Sequence, residues 1–188
     1  MLECIEETGK YVEITGFRNI IIEDAKEFLK AARKNKQQRV WVQFFDADLM
    51  ATRQHLHFAV LNALLAFKNE RNLSKSAAME VMLYASAQRQ IRKAIELIGV
   101  KPASANVAVV IVGERREAVK MALSSVSEAI GSEPDETVLA LSREKAQSLR
   151  EAFGITAKEL QAVIEKNNIE SALVKLVIER MGLLSTQL

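Results

Sequence analysis

The apolar and polar positions change period several times along the chain, and each change predicts an element. Leu2–Glu7 and Tyr11–Thr15 flank the turn signal Thr8-Gly9, which predicts a β-hairpin whose second arm carries Tyr11, Val12 and Ile14. Asp24, with Glu27 three residues on, predicts a helix start. Ala25, Phe28, Leu29 and Ala32 then recur at helical spacing and leave Lys30, Lys34 and Lys36 mostly outside. Val40–Phe45 is short, apolar and β-rich, the pattern of a buried strand. Ala51–Lys68 is a helix with Leu56, Ala59, Val60, Ala63, Leu64 and Phe67 on one face. Phe58, Leu61 and Leu65 widen that face, so the helix is expected to be central and buried on most sides.

Asn72–Gly99 reads as two helices. Ala78, Val81, Met82 and Ala85 mark the first, and Ser86 is expected to cap a second bearing Ile91, Ala94, Ile95 and Ile98. Val107–Val112 is the clearest strand, and Glu117–Ile130 is a helix stopped by Gly131 and Pro134. Three short helical signatures follow, started by Ser142, Thr156 with Glu159, and Asn168. The last carries Leu173, Leu176 and Val177 on one stripe. Val174, Ile178 and Met181 form a second, which is either buried by its neighbours or open to a partner. Four strands interleaved with helices but opened by a hairpin predict an α+β fold: a mixed sheet packed by helices, with a C-terminal helical extension. We expect one domain over residues 1–188, made of a core (1–132) and a helical part (133–188).

Composition narrows the function classes. Of 188 residues, 49% are apolar, which suits a globular chain. The longest apolar runs are too short to span a bilayer, and no basic region with an apolar core opens the chain, so neither a membrane span nor a secretory signal is expected. Cys4 is the single cysteine, so a disulfide framework and a cysteine-rich zinc site are excluded and a cytoplasmic location is expected. It is expected to pack as a small apolar residue. The net charge of +2 hides an uneven spread: residues 30–39 hold Lys30, Arg33, Lys34, Lys36 and Arg39 and no acid. Residues 65–101 hold seven bases against three acids. These stretches are either solvated helix faces or, if they meet in the fold, a surface for phosphate.

Candidate chemistry is sparse. Asp46-Ala47-Asp48 after a strand either holds a cation or, as is commoner for acids at a strand end, makes a turn. His55 and His57 lie on different faces of their helix, so a shared metal is not expected. One of them should pack against the sheet with its nitrogens satisfied. No phosphate-binding glycine loop, nucleophile elbow or kinase signature occurs, and no catalytic group, metal or cofactor is expected.

One stretch carries a resemblance. The run from Asn72 to Ile91 contains Lys75-Ser76, Glu80 in an apolar helix, Ser86 and Ile91, and is followed by Gly99 and the strand 107–112. Upstream stand His55-Leu56, Ala59, Ala63 and Ala66. Together these resemble the archaeal form of the kinase-binding small subunit of the KEOPS complex, whose animal relative is the PRPK-binding protein (TPRKB), over about residues 37–130. The resemblance implies a non-catalytic protein that binds and regulates the complex's kinase-like ATPase subunit. That complex installs threonylcarbamoyl on the adenosine beside the anticodon of tRNAs reading codons that begin with A. Archaeal members of the family are implicated in gripping the single-stranded 3′ tail of tRNA. Such a grip needs cations for phosphates and groups that bond or stack with bases. Lys75, Arg89, Arg92 and Lys93 are the candidate cations, with Asn72 and Gln90 as candidate hydrogen-bonding groups. Val174, Ile178 and Met181 are the candidate contact for the kinase-like subunit. Two other classes stay open: a protein adaptor without RNA contact, and a small-molecule enzyme using Asp46, Asp48 and His55.

Overall fold

The computed structural model describes residues 2–33, 39–165 and 168–186. Four strands form one sheet: β1 (Glu3–Ile5), β2 (Lys10–Phe17), β3 (Val40–Asp46) and β4 (Val107–Gly113), in the order β1-β2-β4-β3. Among the described residues eight α-helices pack around it: α1 (Ala25–Ala32), α2 (Arg53–Lys68), α3 (Ala77–Ser86), α4 (Ile91–Ile98), α5 (Arg116–Ile130), α6 (Arg143–Ala152), α7 (Ala157–Val163) and α8 (Ile169–Thr186). The α+β class is as the pattern predicts. Lys34 and Lys36 lie outside the described residues.

The sheet corrects one expectation, because every pairing is antiparallel and none is mixed. The reason is the placement of β4. Phe17 and Asp46 both pair with Val107, and Tyr11 and Val40 both pair with Gly113. So β2 and β3 run in the same direction, but β4 lies between them and opposes both. The helical excursion from Asp46 to Val107 leaves and re-enters the sheet at one end.

β4 is buried along its whole length, which fits its run of β-branched residues. Its alternate side chains feed two cores. Ala108, Val110 and Val112 face α2, α3 and α4, while Val107, Val109 and Ile111 face α1 and α5. Ala63 and Leu64 of α2 are buried, as its wide apolar face requires. A third cluster joins Leu149, Phe153, Leu160, Leu173 and Val177 of the C-terminal helices to Ala51.

The C-terminal part also reaches the sheet. The Asp135 amide donates to the Gly16 carbonyl at 2.8 Å, and a Cβ on Gly16 would lie 2.9 Å from Val138 Cβ. Only a residue without a side chain lets these backbones approach so closely.

Local caps explain most helix starts. Asp24 accepts from the Lys26 and Glu27 amides, Ser142 from Lys145, and Thr156 forms a full capping box with Glu159. Asn168 accepts from the Ser171 amide at 2.8 Å. Ser86 differs from expectation. It is the last residue of α3, and its hydroxyl donates back to the Leu83 carbonyl at 3.1 Å. Ala87 turns the chain in a left-handed conformation (φ 51°), and Gln90 occupies the start of α4 without a side-chain cap.

Candidate functional site

The residues singled out in 72–93 sit at the two ends of α3. On the entry side, the loop before α3 is tied down by one buried carboxylate. Glu80 is fully buried, and its two oxygens accept from the Leu73 amide at 3.0 Å and the Ser74 amide at 2.6 Å. The Ser74 hydroxyl accepts from the Ser76 amide, and Ser76 caps α3 through the Met79 amide. Asn72 turns inward: its side-chain amide donates to the Ser74 carbonyl at 3.0 Å and is spent on the loop. Lys75 stands exposed at the tip.

On the exit side, the α3–α4 corner is held from below by His55. Its Nδ1 accepts from the Ala51 amide at 3.2 Å, so Nε2 carries the proton and donates to the Ala85 carbonyl at 2.8 Å. The imidazole is fully buried, edge-on to Phe153. Burial pushes it down to about 4, against the opposing hydrogen bond to Ala85, so the ring is neutral. It is the satisfied core histidine that spacing allowed, packed on helices rather than on the sheet.

Beyond that corner Arg89, Gln90, Arg92 and Lys93 are all exposed. Arg92 pairs with Glu96 at 2.8 Å on the open face of α4. The ten residues of α3 measure about 15 Å, so Lys75 and the α4 cations mark the ends of a strip rather than one point. The same face shows a feature the pattern did not predict: Ile91 and Ile95 are 43% and 44% exposed. Ala94 and Ile98 alone bury α4 fully, and the two isoleucines stand beside the cations. Five apolar residues on an eight-residue amphipathic helix were the available signal, since so short a helix does not bury all of them.

The acids and histidines elsewhere are structural. Asp46 caps the turn 47–49 through the Asp48 amide and accepts from Ser104 Oγ at 2.6 Å. Asp48 accepts from Asn106. A polar cavity of about 280 Å³ includes Asp48 with Arg18, Asn106 and Lys145, but neither Asp46 nor His55 lines it. Burial pushes Lys145 down to about 8, opposed by the nearby carboxylates of Asp48 and Asp46, while Nζ donates to the Val138 carbonyl at 3.0 Å. Asp46, Asp48 and His55 thus do not converge on a shared reaction space. Among the described residues no three His, Cys, Asp or Glu side chains gather to hold a metal. His57 and Arg53 both bond Glu3; burial pushes that carboxyl up, and the two partners outweigh it to leave it lowered. Cys4 is exposed on the outer strand β1 rather than packed, because it points away from the core that Ile5 enters.

The expected second stripe of α8 is divided. Val174 and Ile178 are half-buried and line an open groove of about 550 Å³ with Phe58 of α2. Met181 is fully buried in the core beside α2 and α3, so it is not available to a partner in this state. Its direction on α8 lies between the two stripes, and the neighbouring helices take it inward.

An α+β protein with an exposed basic–apolar strip and a groove between two helices is the class that this geometry defines. The sequence profile of the family described as kinase binding protein CGI-121 matches residues 17–185, and the chain belongs to that family. It is similar to the regulatory protein Cgi121 of Methanocaldococcus jannaschii, with 34% identity over 126 residues, covering 66% of this chain and 79% of that one. Among the described residues no helix is long and apolar enough to cross a membrane.

Proposed function

We propose that this chain is a non-catalytic regulatory subunit of the KEOPS tRNA-modification complex. In this reading it binds the kinase-like ATPase subunit and helps recruit tRNA through its 3′ tail. The observation that carries the kinase half is the family match over residues 17–185. The groove at Val174 and Ile178 is its docking surface, because it offers half-buried apolar side chains of α8 beside Phe58 of α2. A Val174→Asp, Ile178→Asp variant is expected to stay folded and to lose co-purification with the kinase-like subunit. Retained co-purification of the folded variant places the interface elsewhere.

The tRNA half draws support from the exposed strip around α3 and α4. Lys75, Arg89, Arg92 and Lys93 supply charge. Gln90 is placed to bond a base edge, whereas Asn72 is already engaged within its loop. Replacing Lys75, Arg89 and Arg92 together is expected to weaken tRNA binding and to flatten its salt dependence by about 0.7 in slope per lost phosphate contact. Filter binding at two or more salt concentrations, with intact and tail-less deacylated tRNA, reads this. Equal affinity for tail-less tRNA refutes the tail contact and leaves a protein adaptor.

A further inference from the structure

β3 is an edge strand. Among the described strands it pairs with β4 alone, so half of its backbone N–H and C=O groups point away from the sheet. Among the described residues that edge floors a groove of about 340 Å³. Ala78 and Met79 of α3 form one wall and Ala122 of α5 the other, with Val40, Trp41 and Val42 along the floor. Ala78 and Met79 on one side and Ala122 on the other are apolar, so both faces of an added strand would meet apolar surface.

Arg33 closes one end. Its Nη2 donates to Gln43 Oε1 at 3.2 Å, and its guanidinium lies 5.6 Å from the Phe44 ring centroid. Its Nε is buried without a hydrogen-bond partner, and no carboxylate among the described residues pairs with it. Burial alone pushes the guanidinium below its ordinary value, with no opposing acid. A half-buried cation lacking a counter-charge is complementary to an incoming carboxylate.

We propose that the open edge of β3 takes an extended segment of a partner protein as a fifth strand, with apolar side chains on both faces and a carboxylate reaching Arg33. Backbone ladder bonds supply the affinity, and the Arg33 end sets direction and selectivity. A second copy of this chain is a poorer occupant, since edge-to-edge pairing offers Arg33 no free carboxylate and brings toward it Arg39, which is already paired with Glu114 at 2.9 Å. This inference stands apart from the α8 groove and the α3–α4 strip and does not depend on them.

The test is selection of a displayed library of random octapeptides against the full-length chain. The expected binders alternate within an apolar run and share one Asp or Glu. Their binding shifts the backbone amides of Val40 and Val42 and falls at least tenfold with Arg33→Glu. Alanine at Met79 is expected to weaken them as well, which keeps the groove testable if the Arg33 variant misfolds. N-methylation of alternate amides in a selected peptide is expected to abolish binding. The proposal is overturned if no peptide is recovered, if the N-methylated peptide binds equally, or if binders are indifferent to Arg33. A self-association that Arg33→Glu changes, or an RNA oligonucleotide that shifts Val42 where no peptide does, likewise overturns it.

Discussion

Replacing Glu80 is the sharpest test of how this surface is built. The carboxylate is fully buried and accepts two amides, one of them, at 2.6 Å, from the buried Ser74. Glu80→Ala removes both acceptors, and two orphaned amides at about 1–3 kcal/mol each give a loss of roughly 2–6 kcal/mol. Against a typical domain stability of about 5–15 kcal/mol that is a large share. Glu80→Gln keeps one acceptor oxygen but turns its amine toward the other N–H, so roughly 1–3 kcal/mol is expected. Urea unfolding should therefore rank Glu above Gln above Ala. Hydrogen exchange should show the Leu73 and Ser74 amides losing protection before the rest of the domain. If the alanine and glutamine variants are equally stable, or if both amides stay protected in Glu80→Ala, the carboxylate does not hold the loop and the placement of Lys75 has another cause.

Two further outcomes follow from buried groups. His55 titrates near 4 in the fold and near 6.5 when unfolded, so below pH 6.5 the unfolded chain takes up a proton that the fold refuses. Stability is expected to fall between pH 6.5 and 4 by up to roughly 3 kcal/mol on this account, and the fall should be missing from a His55→Gln variant compared over the same range. Gly16→Ala places a Cβ 2.9 Å from Val138 Cβ. A β-branched neighbour cannot swing aside, so thermal or urea unfolding should register a loss of roughly 1–3 kcal/mol.

What the sequence made legible was what neighbouring residues decide. Asp24, Ser142, Thr156 with Glu159, and Asn168 each bond amides two or three positions away, and each stands at a helix start in the structure. The antiparallel sheet was not legible, because strand direction depends on which end of β4 meets Phe17 and Asp46, a contact across scores of residues. Ser86 misled for a related reason. Serine near a helix junction serves either side, and here the His55 bond to the Ala85 carbonyl fixes the corner from another helix. Met181 lies between two apolar stripes, and only the position of α2 and α3 decides which way it goes. The exposure of Ile91 and Ile95 is likewise set by how little of α4 the core covers.

β4 also sets when this protein can fold during synthesis. β2 and β3 share no ladder with each other, and among the described strands β2 has β1 and β4 as neighbours while β3 has only Val107–Gly113. A nascent chain that ends before Val107 therefore owns the β1–β2 hairpin and a solitary β3, with Phe17, Phe44 and Phe45 still lacking the partner strand. At synthesis rates of about 5–20 residues per second, the sixty or so residues between β3 and β4 hold that state open for roughly 3–12 s. Over that interval α2 and α3 have each other but no sheet to cover, and the growing chain is at its most exposed to chaperones and to aggregation.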